Sequence, residues 1–238
     1  MQSRDCLNQD NNILYILHFP GNGIDGHEYI VSENLHRHIE LNDNISIISI
    51  MDRNCYNTSP LVEQCNFNNI PIYNGAINEN SWNNTKKINY ILEDLDTITT
   101  EYALILDGRD VIITHDLDNE FLKKVNSFES PIVYNGTPAA YPDVPIESIR
   151  EIVTIDGKQK YLNAGVCIGR VDALKKAYNY ALDLKNNMPD NNSEQLIIRK
   201  VKHTHPDLIT HDSKNAIFRI VHQYDTKIEG SNSSLIFI

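Results

Sequence analysis

The sequence has no apolar run near the ~20 residues that a membrane-spanning helix requires, and the longest near the start, Ile13–His18, falls far short. Its opening, Met1–Asn12, carries a single Arg4 offset by Asp5 and Asp10, unlike the basic start of a signal peptide. Basic residues are in deficit: Lys and Arg total 21 against 32 Asp and Glu, a formal charge of −11. That deficit excludes broad nucleic-acid binding, which needs a basic footprint, and attraction to an anionic membrane. An acidic chain that handles phosphates therefore needs a local basic patch or a bridging cation. Cysteine is scarce too. Cys6, Cys55, Cys65 and Cys167 form no CxxC pair and no framework spacing, so they read as reduced thiols and predict a cytoplasmic protein. At 238 residues the chain is long enough to bury a core without disulfide or metal staples.

What is present alternates. Short β-branched runs at Ile13–Phe19, Ile45–Met51, Ile70–Tyr73, Tyr102–Leu106 and Pro131–Tyr134 read as strands. Between them, His27–Ile39, Trp82–Leu95 and Asn119–Val125 read as helices. Beyond residue 136 the pattern loosens: Pro138, Pro142 and Pro145 break a loop, Tyr161–Ile168 reads as strand, and Asp172–Leu184 and Ser193–Val201 as helices. The expectation is one α/β domain over 1–238, a mainly parallel central sheet flanked by helices. Within it, 1–115 forms a nucleotide-binding half and 116–238 an acceptor-side half.

Two motifs compete for the site. Gly21-Asn22-Gly23-Ile24-Asp25-Gly26 is a GxGxxG between a strand and a helix, as in a dinucleotide-binding fold. However, Phe19-Pro20 separates strand from glycines, and Asp25 places negative charge where a pyrophosphate would sit; Asp43 has the spacing of an acidic ribose partner but precedes the second strand, and Asp52 follows that strand but comes late. A flexible loop is the favoured reading. The second motif is Asp107-Gly108-Arg109-Asp110 after the apolar strand Tyr102–Leu106. Positions i and i+3 of a strand face opposite ways, so the two carboxylates converge only if the chain turns, which Gly108 permits. Ligands of open α/β sheets bind beyond strand C-termini, and two hard oxygen donors there suit Mg²⁺ or Mn²⁺. The other reading is an acidic turn ending a strand. Downstream lie Asn163-Ala164-Gly165 in a strand, Ser193-Glu194-Gln195 at a helix start with Ser193 as cap, and His222 after an apolar strand.

In that order and spacing, the set resembles the metal-dependent glycosyltransferases of the GT-A fold, in particular the glycosyltransferase domain of procollagen-lysine glycosyltransferase/lysyl hydroxylase proteins and their bacterial and viral relatives. The resemblance covers roughly residues 80 to 225. It implies that Asp107 and Asp110 form the metal motif with His222 completing the shell, and that Asn163, Ala164 and Gly165 line the sugars. By the same likeness Gln195 and Glu194 face the acceptor, and Lys87 lies near the nucleotide. The stretch Tyr134–Pro142 sits where the family carries a small-residue, aromatic-Pro segment. Ala164 stands where the family usually has Ser, Glu194 where it usually has Asp, and the spacing to His222 is short.

The function expected is transfer of a sugar from a nucleotide-sugar, a UDP-sugar, to a glycan or other hydroxyl acceptor, with Mn²⁺ or Mg²⁺ as cofactor. Phe19, Tyr73 and Asn74 are the candidates to line the base and ribose, with Gly108 and Arg109 beside the diphosphate. Glu194 is the first catalytic candidate and Asp212 the next. The helix dipole should keep Glu194 ionised. Alternatives are a nucleotidyltransferase of related fold, a non-catalytic nucleotide- or carbohydrate-binding protein, and an NAD-dependent oxidoreductase using Gly21–Gly26. His203, His205 and His211 read as surface residues more readily than as a zinc site. Trp82 reads as packing at a helix start, with base stacking the minor alternative.

Overall fold

A computed structural model describes residues 5–7, 13–20, 28–138, 161–188, 193–221 and 234–236. The central sheet has six strands: β3 (Ile45–Ile48), β4 (Ile72–Tyr73), β5 (Tyr102–Leu106), β7 (Ile132–Thr137), β8 (Tyr161–Arg170) and β9 (Ile209–Asp212), in spatial order β4-β3-β5-β8-β7-β9. β4, β3 and β5 are mutually parallel and β7 is parallel to β9, while β8 runs antiparallel to both β5 and β7. The sheet is therefore mixed. Strand–helix alternation accounts for five strands of one direction, and the irregular second half inserts the reversed one.

Side chains of β5 divide by the strand period of two. Tyr102, Leu104 and Leu106 enter one core with Ile45, Ile47, Val133 and Val166, while Ala103 and Ile105 enter a second with Ile48, Tyr134 and Cys167. Helices α4 (Lys87–Thr97), α6 (Val171–Asn186) and α7 (Glu194–Thr204) cover the second face. Their buried residues recur at helical spacing, as in Ile88, Ile91 and Leu95 of α4. On the first face lie α3 (Pro60–Phe67), α5 (Asn119–Val125) and a small sheet of order β10-β2-β6. Its strands are β2 (Ile16–His18), β6 (Val111–Ile113) and β10 (Phe218–Ile220), with β2 antiparallel to β6. β1 (Asp5–Leu7) and β11 (Ser234–Ile236) form a parallel pair.

The helix expected at His27–Ile39 is α1 (Glu28–Leu35), and a 3-10 turn, Asn84–Lys86, precedes α4 where Trp82–Leu95 is expected. The segment 53–67, for which no element is expected, holds α2 (Arg53–Thr58) and α3. Asp52 caps the first, and Ser59 followed by Pro60 starts the second.

Candidate active site

Asp107 ends β5, and the turn through Gly108 and Arg109 delivers Asp110 to β6. Three contacts fix that turn. The Asp107 N–H donates to the Gly165 carbonyl at 2.7 Å, and the Phe19 N–H donates to the Asp110 carbonyl at 2.7 Å. The Ser59 hydroxyl donates to the Gly108 carbonyl. Gly108 serves close approach rather than unusual backbone, for its φ lies outside the left-handed region; a Cβ there would sit 2.5 Å from Met51 Sδ and 3.0 Å from Ser49 Oγ.

The register of β2 against β6 pairs His18 with Val111, which brings His18 under the turn. Its Nε2 lies 3.5 Å from Asp110 Oδ1 and 3.8 Å from Asp107 Oδ2. One ligand atom from each of these three residues lies within 4.8 Å of the others, the one such His/Cys/Asp/Glu group among the described residues. Burial acts to lower the pKa of His18, but the charge of Asp110, its hydrogen bond and the charge of Asp107 outweigh it, so the net shift is upward. Lys87 is likewise raised: burial opposes its charge, and Asp107 and Glu194 overcome that opposition. Its ammonium pairs with Asp107 Oδ1 and stands 3.6 Å from Glu194 Oε2. Lys87, the first residue of α4, thus joins the carboxylate of Asp107 after β5 to that of Glu194 on α7.

Glu194 corrects an expectation. Ser193 does cap α7, accepting from the Leu196 N–H, yet the Glu194 carboxyl is pushed up to about 7, first by burial and also by the charge of Asp107, against the lowering by Lys87. Desolvation in a site 6% exposed exceeds what a helix dipole supplies at a first turn.

The Asn163–Gly165 segment stands beside Asp107 because β8 is reversed, so that its beginning meets the ends of β5 and β7. Asn163 Oδ1 accepts from the Gly165 N–H at 2.9 Å, and Gln195 Oε1 from the Ala164 N–H at 3.0 Å. The structure thereby brings together Asp107, Asp110, Lys87, Glu194, Gln195 and the Asn-Ala-Gly segment. Gly108, Arg109, Asp107, Asp110 and Lys87 line an open cleft of about 430 Å³, along with Met51, Asp52, Cys55, Asn84 and Trp82. Trp82 is 39% exposed, its Nε1 held by Asn84 Oδ1 at 2.9 Å. It sits just ahead of the 3-10 turn that leads into α4, as a helix-start packing residue would, and also lines the cleft.

Four expected residues lie elsewhere. The Phe19 ring is fully buried with Leu17, Ile30 and Val31, so it offers no face to a base. Tyr73 is half-buried on β4 against the second core and lies outside the cleft lining. Asn74 spends its amide on Met51, accepting from its N–H at 3.1 Å and donating to its carbonyl at 2.9 Å. Asp212 lies on the far edge strand β9 and is fully buried, its carboxylate accepting from the N–H groups of Ala216, Ile217 and Phe218 at 2.8–3.0 Å. It shapes a tight turn and, fully buried there, is closed off from a substrate. His222 and Gly21–Gly26 lie outside the described residues. His205 stacks on Tyr180 at 3.9 Å and His211 Nδ1 pairs with Lys202 at 2.6 Å, so these histidines form no joint cluster.

The donor set fits a divalent cation. Two carboxylates and an imidazole converge, and a Cβ on Gly165 would lie 2.8 Å from both Asp107 Oδ2 and His18 Nε2, so this glycine keeps the space between them clear. Residues 71–234, well over half the chain, match the family described as PLOD GT domain. The chain belongs to that family. This PLOD-type domain is a glycosyltransferase with a mixed α/β fold. It is similar to a solved glycosyltransferase involved in glycosylation of the major capsid of PBCV-1, at 16% identity over 71% of this chain and 81% of that one, with a TM-score of 0.44. It is also similar to the glycosyltransferase GlyE of Streptococcus pneumoniae TIGR4, at 14% identity over 72% of this chain, with a TM-score of 0.38; there the match spans 45% of the longer protein. Comparison with the curated proteins finds no match. No helix among the described residues is long and apolar enough to cross a membrane.

Proposed function

We propose that this domain transfers a sugar from a nucleotide-sugar, a UDP-sugar, to the hydroxyl of a glycan or other acceptor, using Mn²⁺ or Mg²⁺ held by Asp107 and Asp110. The observation that carries this reading is the convergence of the two carboxylates in a cleft that also contains Lys87, Arg109 and Trp82. When bound, the cation supplies Lewis-acid neutralisation of charge on the departing nucleoside diphosphate. Lys87, already drawn between Asp107 and Glu194, presents an ammonium to the diphosphate, and the exposed Arg109 adds a second positive contact. Together they answer the problem that a −11 chain faces in holding phosphates.

Trp82 offers a ring face on which a base can stack. Asn163, Ala164 and Gly165, braced by Gln195, form the sugar side. Glu194, with a carboxyl near neutrality, is suited to accept a proton from an acceptor hydroxyl, because general-base efficiency is greatest when the pKa lies near the working pH. The free thiols of Cys55, Cys65 and Cys167 support a reducing compartment such as the cytoplasm.

The test is a thermal-shift screen of UDP-, GDP- and CMP-sugars with and without Mn²⁺, followed by turnover with the stabilising donor. A ligand at 100 times its Kd stabilises by about 2.7 kcal/mol. Asp110→Ala should retain the fold and lose the Mn²⁺-dependent part of that shift. An Ala variant that binds UDP-sugar as tightly as the wild type in saturating Mn²⁺ would refute the metal assignment.

A further inference from the structure

Resting on the cation reading above, we infer that His18 supplies a third protein ligand, an imidazole nitrogen from β2, to the ion that Asp107 and Asp110 hold, and that this donor set prefers Mn²⁺-class ions to Mg²⁺. The match to the family begins at residue 71, so His18 is brought to the site by the fold of this chain rather than by any matched motif.

Three observations support the assignment. The first is spacing. Ligand atoms about 2.1 Å from one ion stand ~3 Å apart when adjacent and ~4 Å apart when opposed, and His18 Nε2 stands 3.5 Å from Asp110 Oδ1 and 3.8 Å from Asp107 Oδ2. A small closing movement therefore brings all three onto one ion. The second is direction. His18 is 2% exposed, and its Nδ1 is buried without a hydrogen-bond partner, so the polar engagement of the ring is concentrated at Nε2, toward the carboxylates. The third is clearance. Gly165 approaches both His18 and Asp107 so closely that a Cβ would sit 2.8 Å from the Nε2 and Oδ2 atoms. Space is preserved where the three donors meet, and two of them, Asp107 and Asp110, also line the cleft.

The chemistry follows from the donor types. Mg²⁺ favours oxygen ligands, retains its waters and demands near-ideal octahedral geometry. Imidazole nitrogen suits the later divalent first-row ions, whose affinity for such sites rises from Mn²⁺ onward. Two carboxylates alone would discriminate little. Adding His18 shifts the balance toward nitrogen-tolerant ions.

Pulsed electron paramagnetic resonance of Mn²⁺ bound to the full chain, together with calorimetric Kd values for Mn²⁺ and Mg²⁺, tests this without any turnover. The wild type should show ¹⁴N coupling to Mn²⁺ and bind Mn²⁺ about tenfold or more tighter than Mg²⁺. His18→Gln should abolish the coupling and weaken Mn²⁺ more than Mg²⁺, while His222→Gln keeps the coupling. Thermal unfolding in EDTA verifies that each variant folds. If neither His18→Gln nor His18→Asn folds, the His222→Gln chain decides: coupling retained there supports His18, and coupling lost overturns it. Unchanged coupling and Kd in a folded His18 variant would overturn the His18 assignment alone, provided Asp110→Ala still abolishes Mn²⁺ binding. A wild type that binds no Mn²⁺, with or without UDP, would overturn the metal reading and this inference with it.

Discussion

Gly165→Ala adds a single methyl where the site has no room for one. The backbone there is outside the left-handed region, so alanine adopts it freely and the cost is steric. The new Cβ would overlap His18 Cε1 outright and lie 2.8 Å from both Asp107 Oδ2 and His18 Nε2, roughly half an ångström or more inside ordinary contact. The strand cannot easily retreat, because its carbonyl accepts from the Asp107 N–H at 2.7 Å and its N–H donates to Asn163 at 2.9 Å. His18 cannot retreat either, being enclosed. Overpacking of this kind costs about 1–3 kcal/mol, which for a chain of this size lowers Tm by roughly 2–12 °C. The methyl also occupies the space between the donors, so Mn²⁺-dependent stabilisation and transfer activity should both vanish. Gly169→Ala is the control. Its Cβ would press on Ile132 Cγ1 at 2.9 Å and on the Pro131 carbonyl at 3.0 Å, at the other end of β8, so it should lose comparable stability and keep its Mn²⁺ response. Calorimetry with Mn²⁺ and differential scanning of both variants supply the comparison. An alanine at 165 with wild-type stability and Mn²⁺ affinity would refute the cradle.

Glu194→Gln should lower turnover by about 10²-fold or more with little change in nucleotide Kd; turnover near wild type would move the catalytic carboxylate elsewhere. The same variant carries a pH signature in the metal-free chain. A carboxyl raised from 4.5 to about 7 on folding keeps its proton in the native state after the unfolded state has released it, so it costs stability progressively as pH rises from about 4.5 to 7, by at most about 1.4 kcal/mol per pH unit. Denaturant titrations of the Gln variant should lack that decline, and identical slopes would count against burial as the cause. Trp82→Ala should weaken binding of the nucleotide by about 1–3 kcal/mol if a base stacks on it, read as Kd by calorimetry, and leave Tm of the free protein nearly unchanged because the ring is exposed. Asp212→Asn replaces an acceptor of three backbone N–H groups and should cost about 1–3 kcal/mol of stability while the refolded variant keeps wild-type kcat. A specific loss of kcat at unchanged Tm would return Asp212 to the site.

The Asp107–Asp110 pair is legible in the sequence because an apolar strand ending in two acids is a local pattern, and local patterns survive without knowledge of the fold. The Asn163–Gly165 segment is legible only through its order relative to that pair; its contact with Asp107 arises from the reversal of β8, which no periodicity announces. His18 is invisible for the same reason. In sequence it is a polar residue near the end of an apolar strand, and only the antiparallel register of β2 on β6, with the Phe19 N–H on the Asp110 carbonyl, places it beneath Asp110. Asp212 illustrates the opposite error, since an acidic residue at a strand end looks available until the turn through 216–218 closes on it. Glu194 shows how position in a helix predicts one sign of pKa shift while depth predicts the other, and depth prevails. The helices over 53–67 carried usable signals in Asp52 and in Ser59-Pro60, whereas β6, three residues long, is too short for any pattern to reveal.

The reversed strand also governs how the protein is made. Chains emerge from the ribosome N-terminus first, so β5 and β7 exist before the strand that joins them, Tyr161–Arg170, has been synthesised. During that interval the flank of β5 on which β8 will lie has no partner, and β5 and β7 await a filler roughly one strand wide, ~10 Å between their axes. The exposed edge presents Leu104 and Ile105, a template for unwanted pairing that a chaperone or rapid completion must shield. It also means that a nascent chain bearing both acids of the Asp107–Asp110 turn still lacks the carbonyl of Gly165 that anchors it. The central sheet therefore cannot be completed in chain order: the turn after β5 gains its anchor only when a strand encoded well downstream, Tyr161–Arg170, slots in beside it.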